Sequence, residues 1–222
     1  MTDDKQPEMW VFGGPNGSGK STITKEYQED YEDFPSLYIN ADDIKVAGAG
    51  KFSDLQAAQK ADNDRRQAIK DRVSFAFETV FSMPDKVDIM KEAKDVGYIV
   101  RFFYVCTQDA GINVERVAKR VAKGGHDVPE DKVRARYKRS MELLSKAIPI
   151  VDTASIYNNS FVKPILIAEK HQDENITVMP LQNTIPDSRW NQKEIENLLG
   201  LKKPQDLVNI MAARMQQIKQ GK

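Results

Sequence analysis

The chain has 222 residues, 40% hydrophobic and 30% charged, a balance that fits one generous globular domain, or one domain with a small appendage. Its 33 basic and 33 acidic side chains cancel, which argues against a nucleic-acid surface, since phosphate backbones are met by a cationic surplus. The single cysteine, Cys106, rules out an internal disulfide, and with only His126 and His171 beside it a Cys/His zinc site is nearly excluded.

The opening MTDDKQPEM is polar and acidic, unlike a secretory signal, and no apolar run reaches the roughly 20 residues that cross a bilayer. The expectation is a cytoplasmic enzyme or switch without a membrane segment. Short apolar runs then alternate with longer helical patterns. MWVFGG (9–14) predicts a strand entering a glycine loop, and STITKEYQEDY a helix leaving it. PSLYINADD predicts a second strand with a polar end, and residues 54–72 a polar surface helix. VSFAFETVFS reads as strand three, PDKVDIMKEAKDVG as a helix and YIVRFFYVCT as strand four. Residues 112–148 read as helical apart from one break, GGHDVP. KPILIAEK predicts a fifth strand and ITVMP an edge strand. The expected fold is α/β and P-loop kinase-like, with a mostly parallel sheet of five or six strands, helices on both faces and a helical lid. The expected domain spans 1–187. After it, RWNQKEIENLLG and PQDLVNIMAARMQQIKQ read as two amphipathic helices in a C-terminal appendage over 188–222, packed on the chain's own core or facing a partner.

FGGPNGSGKST carries the most specific chemistry. Gly14, Gly19, Lys20 and Ser21 satisfy G-x-x-x-x-G-K-[ST], whose backbone N–H groups cradle phosphates. Asn16, Gly17, Ser18 and Thr22 complete the cradle. Lys20 reaches the outer phosphates of ATP, Ser21 is placed to ligate Mg²⁺, and the following helix adds its positive end. The pattern sits where the mechanism requires it, between a strand and a helix.

Hydrolysis and transfer differ in what stands opposite that loop. A strand ending in an unambiguous water-directing carboxylate, an LSGGQ-like signature and an NKxD motif are all missing. Instead, carboxylates stand at the ends of strands two and three. Asp42 in NADDI is either a base for an acceptor hydroxyl or, with Asp43, a helix cap. Glu78 in FAFETVFS, with Thr79 beside it, either holds substrate hydroxyls or a magnesium-bound water, or bonds the nearby backbone. Arg116–Arg139 then holds nine Lys or Arg against three Asp or Glu. Arg116 and Arg120 share a helix face, Gly124 and Gly125 end that helix, and Asp127-x-x-Glu130 with Pro129 reads as a capping box opening the next. Arg134, Arg136 and Arg139 follow on it. Two basic helices on a glycine hinge suit a lid closing over phosphates. Phosphoryl transfer to a small molecule fits these features better than hydrolysis.

In the order GGPNGSGKST, INADDI, FETVFS and RVAKRVAKGGHDVPEDKVRARYKRS, the motifs resemble the zeta-toxin family of P-loop kinases, in its smaller predicted-ATPase branch, over roughly residues 9–168. The resemblance implies ATP- and Mg²⁺-dependent phosphorylation of a nucleotide sugar, UDP-N-acetylglucosamine, and restraint by a small antitoxin protein. It implies that Lys20 and Ser21 are the phosphate-loop pair, Asp42 rather than Asp43 the base, Glu78 a sugar contact, and Arg116 or Arg120 the first lid arginine. The larger toxins carry an arginine before a Thr-Pro turn where this chain has His126, so Arg120 or Arg136 takes over that phosphoryl contact or the substrate differs. The Asn158-Asn159-Ser160 loop is placed near the adenine by the same resemblance. Competing readings are a P-loop kinase acting on another nucleotide, NAD or a nucleic-acid end, and an NTPase switch whose tail engages a protein.

Overall fold

A computed structural model describes residues 5–49, 51–179 and 190–201. Strand β1 (Glu8–Gly13) is buried at all six positions, as the apolar run Met9–Phe12 suits a strand covered on both faces, with Glu8 its one charged residue. It lies between β3 (Phe75–Thr79) and β4 (Ile99–Cys106), parallel to both, with β2 (Leu37–Ile39) outside β3 and β5 (Thr153–Asn158) outside β4. Strands β6 (Ile165–Lys170) and β7 (Thr177–Val178) extend the sheet antiparallel, giving the order β2-β3-β1-β4-β5-β6-β7. The expected mostly parallel α/β sheet is present, with seven strands among the described residues in place of five or six. The addition is β5, TASIYN, whose buried residues alternate and carry little apolar mass. KPILIAEK is therefore the sixth strand. Only residues 159–164 join it to β5, too short a link for a parallel crossover of a dozen or more residues, so it runs antiparallel.

The two faces of the sheet are covered unequally. Met9, Val11, Phe77, Phe102 and Tyr104 pack against α3 (Asp54–Lys70), α4 (Asp85–Asp95), α6 (Glu130–Ala147) and α7 (Gln192–Leu198) in the principal core, which includes Ile195 and Leu199 at the C-terminal end of the described chain. The first predicted tail helix is thus α7, packed on the chain's own core, while PQDLVNIMAARMQQIKQ lies outside the described residues. On the other face Trp10, Phe12 and Phe103 pack with Ile23 and Tyr27 of α1 (Lys20–Asp30) and with Phe34. Phe12 and Phe103 stack at 4.7 Å. A third, smaller cluster of Val114, Val117, Val121, Val128 and Val133 joins α5 (Ala110–Val121) to the first turns of α6.

The helix starts have local causes. Asn40 caps the short helix α2 (Ala41–Ala47), its Oδ1 accepting from the Asp42 N–H at 2.9 Å, and Ser53 and Gln56 form a capping box on α3. The box expected at Asp127–Glu130 does not form. Pro129 is the cap residue of α6 and makes no side-chain cap bond, so Glu130 falls in the first helical position instead of the third. There it pairs with Arg134 one turn on, at 2.8 Å. Among the described residues no helix is long and apolar enough to cross a membrane.

Candidate active site

From β1 the chain goes to strands on one side, and from β3 it crosses to strands on the other, so the sheet reverses its order at the carboxyl end of β1. That is where ligands enter open α/β sheets. Residues 14–19 leave β1 there and α1 begins at Lys20, with Gly19 as its cap residue. The Gly14 N–H donates to the Thr79 carbonyl at 3.2 Å, tying the loop to β3. The Ser18 N–H closes onto the Pro15 carbonyl at 3.1 Å, and the Thr22 N–H onto that of Gly19 at 3.1 Å. The Ser18 hydroxyl is buried without a hydrogen-bond partner. Lys20 is half-buried along its length. Desolvation of its ammonium pulls its pKa below the ordinary value, partly offset by the carboxylates of Glu78 and Asp42. A desolvated cation beside an orphaned hydroxyl and a turn of N–H donors is a site that suits an anion.

Opposite the loop, the predicted carboxylates come together. Glu78 accepts from the Ser21 hydroxyl at 2.8 Å with one oxygen and from the Tyr38 hydroxyl at 2.9 Å with the other. Tyr38 in turn accepts from the Asn40 amide at 3.3 Å, and Asn40 caps the turn that carries Asp42. A hydrogen-bonded path thus runs from the serine of the phosphate loop to the exposed Asp42. Because Asn40 supplies the cap, neither Asp42 nor Asp43 has that duty. The Asp43 carboxyl is pushed up by partial burial, then by the charges of Asp42 and Glu78. A hydroxyl and carboxylate oxygen this close are hard donors of the kind Mg²⁺ takes alongside phosphates and water.

Thr79 is placed differently from Glu78. Its hydroxyl accepts from the Phe81 N–H at 3.0 Å, stabilising the fully buried Phe81 in a left-handed conformation with φ of 55°. Such backbone costs about 1–3 kcal/mol and persists only where packing holds it, here against Phe102 and Tyr104. The turn brings the Ser82 carbonyl under the lid, where Arg139 Nε donates to it at 3.1 Å.

The lid arginines separate by reach. Arg136 Nη1 lies 3.4 Å from the Asn16 side-chain oxygen, at the phosphate loop. Arg120 donates to the His126 carbonyl at 2.8 Å, closing the hairpin on itself, while its charge also helps lower the Lys20 pKa. Arg116 and Arg120, with Lys119 and Lys123, line a cavity of about 370 Å³ on α5. His126 is exposed at the hairpin tip and adds a weak positive influence on Asp54 of α3, whose carboxyl is held low chiefly by Lys45.

The zeta toxin family profile matches residues 1–163. The chain belongs to the zeta toxin family. An uncharacterized protein of Haemophilus influenzae is 33% identical over 140 residues, 59% of this zeta toxin family chain and 97% of its own. The structure of AvrRxo1-ORF1:-ORF2 with ATP is similar with a TM-score of 0.61 at 16% identity, over 80% of this chain and 62% of that one, so this chain spans less than two thirds of that protein. The PezAT chromosomal toxin-antitoxin system of Streptococcus pneumoniae gives 0.58 at 16% identity, over 89% and 84%. At such identities the likeness speaks for the fold alone. Family membership and the phosphate loop together support an ATP-dependent phosphotransferase.

Two contributors to this zeta toxin family site were not anticipated as site residues. Tyr38 lies inside a predicted strand, and Asn113 inside a predicted helix. Asn159, expected near the adenine, contacts the phosphate loop, donating to the Ser18 carbonyl at 2.8 Å. The buried polar side chain at position 113 within an otherwise apolar helix face was the one available signal.

Proposed function

We propose that this protein transfers the terminal phosphoryl group of ATP to a hydroxyl of a nucleotide sugar, UDP-N-acetylglucosamine being the leading candidate. The observation that carries the proposal is the path Ser21–Glu78–Tyr38–Asn40, which ends at an Asp42 free of capping duty and within electrostatic reach of Lys20. Asp42 takes the proton of the acceptor hydroxyl as its oxygen bonds to the terminal phosphorus and the bond to ADP breaks, a contribution of about 10²–10⁴-fold. Lys20 and Arg136 meet charge on the transferring group, and Glu78 orients the acceptor. Ser21, with Glu78 behind it, would hold Mg²⁺, which neutralises charge between the outer phosphates. Arg116 and His126 complete the proposed acceptor side, and Thr79 shapes it through the turn its hydroxyl holds at Phe81. A small antitoxin protein is the proposed partner, supported by the family and by the PezAT toxin-antitoxin likeness.

The test is ADP release by the purified chain with Mg-ATP, with and without UDP-N-acetylglucosamine, beside Asp42→Asn. A sugar-dependent rise with a phosphorylated product, lost in the variant, is expected. ADP release indifferent to the sugar would reject this acceptor, and indifference to the variant would reject Asp42 as the base.

A further inference from the structure

Two asparagines outside the phosphate-loop motif reach into it from different strand ends. Asn113 on α5 is fully buried, and its amide donates to the Asn16 carbonyl at 2.6 Å. Its own oxygen accepts from the Thr107 hydroxyl, which fixes which end of the carboxamide faces the loop. Asn159, just past β5, donates to the Ser18 carbonyl at 2.8 Å, with its backbone N–H held by the Cys106 carbonyl at 2.8 Å. We propose that Asn113 and Asn159 are positioning residues that aim the Gly17 and Gly19 N–H groups at bound phosphate by holding the carbonyls of Asn16 and Ser18. The inference rests on reading the loop as an ATP site.

The physical reason is the planarity of the peptide unit. Among the described residues there are no cis peptide bonds, so each N–H in the loop points opposite to the carbonyl of the same unit. Holding the Asn16 carbonyl turns the Gly17 N–H away from Asn113, and holding the Ser18 carbonyl turns the Gly19 N–H away from Asn159. Neither N–H is taken up by a backbone carbonyl among the described residues. N–H groups converging in this way make an anion-binding nest.

The glycines are fitted to the same two partners. Gly17 has φ of 76°, and a Cβ there would lie 2.6 Å from the backbone carbonyl oxygen of Asn113. Gly19 has φ of 93°, and a Cβ there would lie 2.2 Å from the Asn159 amide nitrogen. The Asn159 side chain and the backbone of Asn113 occupy the space these two glycines leave, so the loop sits close against both residues.

The experiment uses the full chain and a fluorescent ATP analogue displaced by Mg-ATP, Mg-ADP or adenosine. Asn159→Leu removes the donor without adding charge. Misdirecting one N–H is expected to weaken ATP and ADP about tenfold, the scale of one hydrogen bond to a charged group, with adenosine changed less than about twofold on the same scale. Asn159→Ala, a truncation at a half-buried position, is expected to give the same ordering. Equal weakening of all three ligands would mean a merely structural role and would overturn the inference. Unchanged binding of all three would overturn it too. A wild-type chain that binds none of them rejects the ATP-site reading and this inference together, whereas normal wild-type binding with unaffected variants rejects the inference alone.

Discussion

Tyr38→Phe removes one oxygen and keeps the ring, which faces Phe34 at 6.3 Å between centroids. That oxygen donates to Glu78 at 2.9 Å and accepts from Asn40 at 3.3 Å. Burial, then the Glu78 charge, raise the phenol pKa, so it stays protonated and donating at neutral pH. A hydrogen bond to a charged group is worth about 1.5–3 kcal/mol. Both residues are half-buried and water replaces part of it, so a loss of about 1.5 kcal/mol and a fall in Tm of about 3–6 °C are expected for a chain of this length. The same deletion lets the Glu78 carboxylate turn away from Ser21 and the acceptor. An unsupported group loses productive geometry, and kcat for acceptor-dependent ADP release should drop about tenfold. KM for ATP should change less than kcat, because Lys20 and the backbone N–H groups of the phosphate loop keep their places. Calorimetry and steady-state kinetics on one preparation separate the two effects. A lowered Tm with full kcat would refute the positioning argument and leave Tyr38 as packing.

Arg136→Ala should reduce turnover by about 10³-fold or more if it meets the transferring phosphoryl group, and Arg120→Ala by about tenfold, since its hydrogen bond closes the hairpin; steady-state rates in the reverse order would exchange their roles. At the far end of the sheet, Glu8 accepts from Arg101 at 2.7 and 3.1 Å and from Trp10 at 2.7 Å. Burial alone would raise its carboxyl, but those hydrogen bonds outweigh it and hold the pKa below the ordinary value. The stability this contributes is complete above the unfolded-chain value of about 4.3 and is lost as pH falls through the lower folded-state value. Melting temperatures across that acid range should fall more steeply for wild type than for Glu8→Gln, and parallel curves would refute the assignment.

The alternation of apolar runs and helical patterns made the central sheet legible, because β1, β3 and β4 each carry a buried apolar run, Met9–Phe12, Phe75–Phe77 and Phe102–Cys106. The phosphate loop was equally legible, since its backbone geometry restricts residue type at fixed spacing. What escaped had weaker local causes. β5 owes its place to hydrogen bonding with β4 more than to its own residues, and α6 begins at Pro129 without the cap that Asp127 and Glu130 suggested. Asp42 could not be separated from a capping role by spacing, because its freedom depends on Asn40, two residues earlier, taking the cap. Tyr38 and Asn113 look like interior residues of a strand and a helix. Only their partners across the fold, Glu78 and Asn16, turn them into parts of a site.

The small valine cluster between α5 and α6 has a mechanical consequence. Ser140, Leu143, Leu144 and Ala147 root the second half of α6 in buried surroundings, whereas Val133 near its start belongs to the separate valine cluster with α5. One helix therefore spans two unequal anchorages. The arginine-bearing hairpin has a small core of its own, which holds Arg116, Arg120 and Arg136 in register with one another, apart from the packing beneath the sheet.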